Sequence, residues 1–396
     1  MNILIIAEID WIKKTTYEMH HLSELYSLKK HNVYAIDIQD PGIISTTKSC
    51  NLIKNYHRVY NDATVTLFRT PIIPIKGLHR IAAYMSKNFI KKILKEKKID
   101  FVLMYSVVNN SQAAIKACKE MKIPIIHRTF DIADQLIKEN YLRKIVLWVE
   151  KKIYPQFDLV IANTPYTKKW AESMGAKNIT LISQGVDPNL MKPFPKNIEL
   201  QNELGIKDDD IVVMYLGTIL PFDGLDILFQ QIPKIIKKIP KFKMLIVGGG
   251  EHLENLKHLS KKLRIDKQVI FMDWQPYSKV PQFCSLAKIC VNTFQTTKMT
   301  DKLSPVKIFD LLACAKPVLA TPLKGLMYDL PADKGIIKYA NLDDFHKMII
   351  NMIEDKNIQE IGDRGREFVK NDFTWEKISE KILAKAIKII EIEKNQ

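Results

Sequence analysis

Short apolar stretches alternate with helical patterns along the chain, and this alternation constrains the fold more than any other feature of the sequence. Strands that are apolar throughout and separated by helices are typical of parallel sheets covered on both faces. The first half contains NILIIAE, NVYAIDI, ATVTLFR, FVLMYS, IPIIHRT, LVIANT and ITLISQG. The second half contains IVVMYLGT, KMLIVGGG, QVIFMDW, ICVNTF, PVLAT and GIIKY. Because the pattern runs twice, it predicts an α/β protein with two Rossmann-like, doubly wound parallel-sheet domains.

The length of 396 residues also favours two domains, since a single hydrophobic core rarely grows beyond about 250–300 residues. A boundary is predicted in GVDPNLMKPFPKNIEL, residues 185–200, which contains Pro188, Pro193 and Pro195 and shows no clear periodicity. The stretch FTWEKISEKILAKAIKIIEIEK predicts a long amphipathic helix with Thr374 as its N-cap. The sequence therefore predicts three segments, residues 1–190, 191–372 and 373–396.

The length of the apolar runs and the first residues of the sequence indicate in which cellular compartment the protein is expected. No uninterrupted apolar run reaches the roughly 18 to 20 residues that cross a bilayer. The opening MNILIIAEIDW lacks the basic lead and small-residue cleavage site of a signal peptide, and it is more typical of a buried strand. We therefore expect a cytoplasmic protein.

Five cysteines are scattered along the chain without a CxxC pair: Cys50, Cys118, Cys284, Cys290 and Cys314. This spacing indicates neither a disulfide framework nor a zinc site. The last four have apolar neighbours, and we expect them to be small core residues without chemistry.

The formal net charge of +16 raises the question of an anionic partner. Nucleic acid is not favoured, because the charge is dispersed and no recognised binding module appears. Residues 75–100, IKGLHRIAAYMSKNFIKKILKEKKID, form a basic amphipathic pattern that suits an anionic membrane surface. The alternative, which is the commoner case, is a surface helix packed on its own sheet.

Three segments either follow a predicted strand or connect a predicted helix to a strand. We expect them along a crevice between the domains, where such folds bind ligands. They are YLGTILPFDGLD, LIVGGGEHLENL and SPVKIFDLLACAKPVLAT. The glycines allow backbone N–H groups to approach a phosphate, although neither GxGxxG nor a P-loop is present. In the third segment Lys307 and Asp310 share a helix face, either as a solvated pair or as groups that hold a polar ligand.

Taken in order, these segments resemble the GT-B retaining glycosyltransferases, which include glycogen and sucrose synthases and bacterial mannosyl- and glucosyltransferases. SPVKIFDLLACAKPVLAT is similar to their donor-site segment, with its acidic helix residue and GKPVV-like turn. LISQGVDPNLMKPFP is similar to the segment that joins the two domains, and FTWEKISEKIL to the closing helix. The resemblance covers residues 100–396. It implies an acceptor-binding N-terminal domain, a donor-binding C-terminal domain, and a final helix that crosses back to the first.

The resemblance also implies roles for individual residues. Asp310 matches the acid that accepts hydrogen bonds from the ribose hydroxyls of the donor nucleotide, and Lys307 would balance phosphate charge as a catalytic residue. Asp131 matches an acid on the acceptor side, with a helix cap as the alternative. The remaining donor-binding residues implied are Gly217, Thr218, Gly249, Gly250, Trp274, Gln275, Lys302, Ser304 and Val306.

The departures from the family pattern concern charge. Many relatives have Arg and Lys at the positions of Thr218 and Asp223, and Glu at that of Lys302. Phosphate-binding charge would then come from Lys302 and Lys307. The first strand is followed by AEIDWIKKTTYEMHH without a glycine, and we expect His20 and His21 there to be structural.

The implied reaction is retaining transfer of a sugar from a nucleoside diphosphate sugar such as a UDP- or GDP-sugar. The acceptor would be a glycan or a lipid-linked molecule, reached at the inner membrane face. We expect no metal and no cofactor, because no DxD-type cluster is placed for one and the DDD at 208–210 lies in a polar turn. Two alternatives remain, a GT-B relative that has lost catalysis and acts as a binding subunit, and an NDP-sugar epimerase.

Overall fold

The chain folds into two compact units. The computed structural model describes residues 1–13, 15–39, 52–70, 86–105, 108–129 and 140–394. The N-terminal unit consists of Met1–Ser183 together with Trp375–Gln396, and the C-terminal unit consists of Gln184–Thr374.

Among the described residues, the N-terminal unit is built on an eight-stranded sheet in the order β3-β4-β2-β1-β5-β6-β7-β8. All its strand pairs are parallel except β3 with β4. The central strands are apolar because both their faces are covered, and Ile3 to Ile6 have no exposed surface. The strands are β1 Asn2–Ile6, β2 Asn32–Ile38, β3 Leu52–Tyr56, β4 Val65–Thr70, β5 Phe101–Met104, β6 Ile125–Thr129, β7 Leu159–Ala162 and β8 Ile179–Leu181.

The helices of this unit are α1 Glu18–Leu28, α2 Lys87–Glu96, α3 Ser111–Met121, α4 Asn140–Ile153 and α5 Pro165–Ser173. Ile90 and Ile93 of α2, Ala114 of α3 and Val149 and Ile153 of α4 belong to one core cluster with residues of the sheet. These three helices therefore form a single layer. No helix of the described residues is both long and apolar enough to cross a membrane.

The C-terminal unit repeats the arrangement with six parallel strands in the order β11-β10-β9-β12-β13-β14. The strands are β9 Ile211–Leu216, β10 Phe242–Val247, β11 Val269–Phe271, β12 Ile289–Asn292, β13 Val318–Ala320 and β14 Lys338–Tyr339. The helices are α6 Ile198–Glu203, α7 Leu225–Lys238, α8 Leu253–Lys262, α9 Val280–Leu286, α10 Val306–Ala313, α11 Lys324–Asp329, α12 Phe345–Glu354 and α13 Ile358–Asp372. Two apolar clusters cover the two faces of the sheet. The prediction of two doubly wound α/β domains is confirmed.

The first unit ends at Ser183, earlier than residue 190 taken from the sequence. The reason is that the proline-containing segment packs as part of the C-terminal core. The Val186 N–H donates to the Phe373 carbonyl oxygen at 2.7 Å, and Val186 and Met191 are both fully buried in that core. The proline-rich composition therefore indicates the neighbourhood of the boundary but not the residue at which the first unit ends.

The last helix, α14 Trp375–Lys394, belongs to the N-terminal unit, where it packs on α1. The buried hydroxyl of Tyr26 donates to the Ser379 carbonyl oxygen at 3.1 Å, and Lys29 forms an exposed ion pair with Glu380 at 2.7 Å. Trp375 stacks on His21 with ring centroids 5.2 Å apart.

A buried ion pair fixes the carboxyl end of β6 within the N-terminal unit. The Arg128 guanidinium donates to both carboxylate oxygens of Glu18, at 2.9 and 3.0 Å, and to the carbonyl oxygens of Ile182 and Ser183 at 2.6 and 2.8 Å. The Tyr105 hydroxyl adds a third bond to Glu18 at 2.8 Å. A buried pair with this many bonds leaves a strongly unfavourable charge if one partner is removed.

We predict that Glu18→Gln lowers the free energy of unfolding of the N-terminal unit by about 3–5 kcal/mol, because Arg128 is then buried without a counter-charge. The free energy is measured by urea denaturation in a Trp274→Phe background, which confines the tryptophan fluorescence to this unit. The matched control is Glu380→Gln in the exposed pair with Lys29, where little change is expected. Equal effects of the two substitutions would contradict the prediction.

Candidate functional site

The candidate site lies at the carboxyl edge of the C-terminal sheet, where its strand order reverses between β9 and β12. Successive crossovers leave in opposite directions at such a point and open a crevice between the loops. The loop after β9 holds Gly217 and Asp223, and the strand β12 ends at Asn292 beside it. Helix α10 contributes Lys307 and Asp310.

Lys307 reaches from α10 to the end of β9. Its ammonium donates to the Tyr215 hydroxyl at 2.9 Å and lies 4.1 Å from the centroid of that ring. The Phe294 ring, which follows β12, is 4.4 Å from the same nitrogen. The Tyr215 hydroxyl in turn donates to the Thr218 carbonyl oxygen at 3.0 Å. Two aromatic faces and a hydroxyl therefore hold the ammonium at the reversal point by cation–π and hydrogen-bond attraction.

Enclosure changes the acid–base behaviour of this amine. Loss of hydration lowers the pKa of Lys307 to about 8, and attraction by the Asp223 carboxylate offsets part of that shift. Burial raises the pKa of Asp223, and Lys307 and the Leu220 N–H, which donates to Asp223 at 2.6 Å, act in the opposite direction. The two residues are therefore electrostatically coupled.

Gly217 is required beside Lys307 for two reasons. Its φ of +130° is a conformation that side-chain-bearing residues rarely adopt, and a Cβ there would lie 2.9 Å from Lys307 Cδ. Gly248, with a φ of +139°, is equally constrained, because a Cβ there would overlap the Gly217 carbonyl oxygen. The backbones after β9 and β10 thus approach each other closely.

The second glycine segment lies against Trp274. A Cβ at Gly249 would be 2.7 Å from the indole Nε1, and the Gly249 carbonyl oxygen accepts from the Ile219 N–H at 2.9 Å. Gly250 packs equally close to the Ile219 carbonyl group. Trp274 is 53% exposed, so part of its apolar surface is open to solvent at this edge. The structure therefore brings the predicted residues Gly217, Thr218, Gly249, Gly250, Trp274 and Lys307 to the ends of three neighbouring strands.

Asp310 lies one turn beyond Lys307 and is buried. Its Oδ1 accepts from the Tyr277 hydroxyl at 2.7 Å. Burial raises the pKa of the Asp310 carboxyl to about 7; the Tyr277 hydrogen bond lowers it, while Cys284 and Asp187 raise it further. The solvated pair considered from the sequence is therefore wrong, since Lys307 and Asp310 are both engaged by neighbouring side chains.

Three predicted residues have structural partners of their own. The Ser304 hydroxyl donates to Asp329 at 2.5 Å, and the backbone of Lys302 packs against Gly325. The Gln275 side-chain amide donates to the Met272 carbonyl oxygen at 2.6 Å. Val306 is the first residue of α10, after Pro305 as N-cap. Asp131 lies outside the described residues.

The sequence did not single out several polar groups that share this edge. Tyr215 and Tyr277 position Lys307 and Asp310, respectively. Asn292 at the end of β12 is fully buried, and neither atom of its side-chain amide has a hydrogen-bond partner among the described residues. Thr321 follows β13, and its buried hydroxyl group also has no hydrogen-bond partner among the described residues. Unsatisfied buried polar groups are rare in folded proteins, so these two side chains are unusual features of the carboxyl edge.

The burial of four cysteines and the exposure of the DDD turn agree with the sequence predictions. Cys118, Cys284, Cys290 and Cys314 are buried, as predicted. In the DDD turn, Asp208 pairs with Lys196 and Asp209 with Lys241 in exposed ion pairs, as predicted for a solvated turn.

His20 and His21 in α1 are buried, which agrees with a structural role. Burial lowers the pKa of His20 to about 4 and that of His21 to about 3. Both rings are therefore neutral at neutral pH.

The fold is shared with solved glycosyltransferase structures. Sucrose-phosphate synthase from Thermosynechococcus elongatus superposes with a TM-score of 0.77 at 16% identity, over 99% of this chain and 100% of that chain. HepE of Anabaena in complex with UDP-glucose gives 0.73 at 17% identity, over 98% and 100%. Identities this low show the fold alone. The two doubly wound units define a protein of the GT-B class.

Sequence profiles identify the family within that class. The profile described as Glycosyl transferases group 1 matches residues 196–368, and the profile described as Glycosyltransferase Family 4 matches residues 43–190. The chain therefore belongs to the group 1 GT-B glycosyltransferases, as the sequence resemblance predicted.

A curated relative also matches at low identity. A GDP-mannose-dependent alpha-(1-6)-phosphatidylinositol monomannoside mannosyltransferase of Mycolicibacterium smegmatis is 22% identical over 233 residues, which are 57% of this chain and 61% of that protein. The match thus spans about three fifths of the length of that relative.

We predict that the Lys307 amine titrates near pH 8, compared with about 10.4 for an ordinary lysine, and that Asp223→Asn lowers its pKa further. The sign follows because the Asp223 carboxylate favours the ammonium form. The measurement is a pH titration of lysine 13Cε chemical shifts, with Lys307→Arg identifying the signal by its disappearance. A value near 10.4, or an increase in Asp223→Asn, would refute the assignment.

Proposed function

We propose that the protein transfers a sugar from a nucleoside diphosphate sugar to an acceptor hydroxyl group. The observation that carries this proposal is the placement of Lys307 and Asp310 at the carboxyl edge of a Rossmann-like sheet, in a chain of the group 1 glycosyltransferase family. An ammonium and a carboxylate one turn apart suit the diphosphate and the ribose of such a donor. No cofactor or metal is proposed.

The diphosphate would be held at the reversal point of the sheet. Gly217, Thr218, Gly249 and Gly250 offer backbone groups there, and the Lys307 ammonium is already oriented by Tyr215. Lys302, Ser304 and Val306 would contribute at the start of α10. Because negative charge grows on the leaving diphosphate as the glycosidic bond breaks, a preoriented cation stabilises the transition state more than the ground state.

The nucleoside would lie one helical turn further along the same face of α10. Asp310 would accept hydrogen bonds from the ribose hydroxyls, which favours its ionised form, and Tyr277 holds the carboxylate in place. The base would pack on the exposed Trp274 ring near Gln275. A partly exposed aromatic ring is suited to stacking on a nucleobase.

The transfer is proposed to retain anomeric configuration. The acceptor oxygen forms a bond to the anomeric carbon on the face from which the diphosphate oxygen departs, and the hydroxyl proton passes to that leaving oxygen. Asp131 is proposed, by resemblance, to act on the acceptor side. Exclusion of water during this step would protect the donor from hydrolysis.

The proposed acceptor is a glycan or a lipid-linked molecule, reached from the cytoplasm at the inner membrane face. The relative from M. smegmatis is named for a phosphatidylinositol mannoside, which supports a lipid-linked acceptor. Contact of residues 75–100 with anionic membrane would use charge from exposed lysines such as Lys95, since Lys92 is paired with Glu96 at 3.8 Å. In the described part, Ile90, Ile93 and Leu94 are buried, so this helix offers little apolar surface to a bilayer.

A second function is a binding or scaffolding subunit without catalysis. The observation that favours it is Asp223, whose carboxylate lies close enough to Lys307 to offset its positive charge. Transfer or hydrolysis measured with a panel of UDP- and GDP-sugars distinguishes the two, and an epimerised donor sugar in the same panel would indicate an epimerase. Product anomers observed by NMR test retention.

We predict that one nucleoside diphosphate among UDP, GDP, ADP and CDP raises the melting temperature clearly, because a ligand that binds only the folded state stabilises it. Asp310→Ala should abolish this shift, since the ribose then loses its acceptor. The control is Asp333→Ala, an exposed aspartate of the same unit, which should keep the shift. A full shift in Asp310→Ala would contradict the ribose assignment.

We predict that Gly217→Ala weakens binding of that nucleoside diphosphate at least about tenfold, since the added methyl displaces the Lys307 side chain. Gly205→Ala is the control for a methyl group added at another glycine of positive φ, because its φ of +64° lies in the left-handed region and its Cβ would meet no atom within 4 Å. Affinities are measured by isothermal calorimetry on variants confirmed as folded. Equal losses in both variants would contradict a specific role of Lys307 in binding.

A further inference from the structure

Helix α4 of the N-terminal unit exposes an apolar stripe. Tyr141, Leu142, Ile145 and Trp148 are 67%, 38%, 54% and 55% exposed. Their spacing of three to four residues places them along one side of the helix. Single exposed apolar residues are ordinary, but four on one helix face form a contiguous surface that indicates a binding partner.

The opposite side of α4 explains why the stripe faces outward. Val146, Val149 and Ile153 are buried, and the last two belong to the core cluster that covers the sheet. Glu150, the one acidic residue of the helix, is buried on this inner side. The helix therefore has a complete inner face packed on its own domain and a second apolar face directed away from it.

Positive charge surrounds the exposed stripe. Arg143, Lys144, Lys151 and Lys152 are exposed, and no acid of this helix is. The Lys152 ammonium lies 3.5 Å from the centroid of the Trp148 ring. Lysine stems can extend beside buried apolar side chains while their ammonium groups stay at a charged surface.

We propose that this face of α4, the stripe with its four flanking cations, docks on an anionic lipid bilayer. Tyr and Trp are the aromatic residues that prefer the membrane–water interface, and exposed lysines and arginines next to them attract anionic headgroups. A protein partner is less suited, since the cores of protein interfaces are depleted of lysine. The net charge of +16 acts in the same direction.

The neighbouring helices extend the charged part of this surface. Because α2, α3 and α4 form one layer on the sheet, their outer sides face the same way. Lys92 and Lys95 of α2 are exposed there. α4 would thus supply the apolar contact and α2 additional charge. This docking does not depend on sugar transfer and is tested without it.

The test is co-sedimentation of the 396-residue chain with vesicles of phosphatidylglycerol and phosphatidylcholine, and with vesicles of phosphatidylcholine alone. We expect binding to the anionic vesicles only, weakened about tenfold by Ile145→Ala or Trp148→Ala through loss of buried apolar area. Neutralising Arg143, Lys144, Lys151 and Lys152 to Gln should remove the preference for anionic vesicles. A blue shift of tryptophan fluorescence on binding should be lost in Trp148→Phe.

The matched control for Ile145→Ala is Ile198→Ala, at a residue that is 53% exposed on α6 of the C-terminal unit beside Glu199; this variant should bind as the parent chain does. Equal weakening by both overturns the proposal, as does the absence of any binding to anionic vesicles. A third outcome is that neutralising Lys92, Lys95 and Lys98 abolishes vesicle binding while the α4 variants bind normally. That result would assign the membrane contact to residues 75–100 and overturn the proposal. A dimer that Ile145→Ala dissociates, without vesicle binding, assigns the face to a second copy.

Discussion

The candidate site depends on one constraint, that the strands of the C-terminal sheet are parallel. Parallel strands end at the same edge, so the loops after them meet although the chain between them is long. Tyr215 and Lys307 are far apart in sequence and still share a hydrogen bond at 2.9 Å. Since the order of strands reverses between β9 and β12, these loops diverge and leave room for a ligand.

The periodicity of the sequence was sufficient to predict this framework. Continuous apolar runs such as those of β1 and β9 can be stable only when both faces are covered, and the intervening helical patterns supply the cover. The glycines after β9 and β10 were also identifiable, because a backbone that approaches another backbone admits no Cβ. The buried strands and the close approach of these loops are therefore indicated by the local sequence.

The partners of the charged residues could not be predicted in the same way. Nothing near Lys307 in the sequence indicates Tyr215 or Phe294, since both contacts are made across the sheet. Asp223 looked like a loss of charge at a phosphate site, whereas the structure couples it to the ammonium of Lys307. Ser304 has the right place for a ligand but donates its hydroxyl proton to Asp329. Such hydrogen bonds and charge interactions depend on side chains that only the tertiary structure brings together.

The dehydrated surroundings of Lys307 also give it a distinct chemical reactivity. With a pKa of about 8, about a tenth of its amine groups are unprotonated at pH 7, compared with fewer than one in a thousand for an ordinary lysine. An unprotonated amine is a nucleophile and attacks electrophiles such as activated esters, whereas the ammonium form does not. The same enclosure by Tyr215 and Phe294 limits access to the amine, so reaction at Lys307 would require a reagent small enough to enter beside these rings.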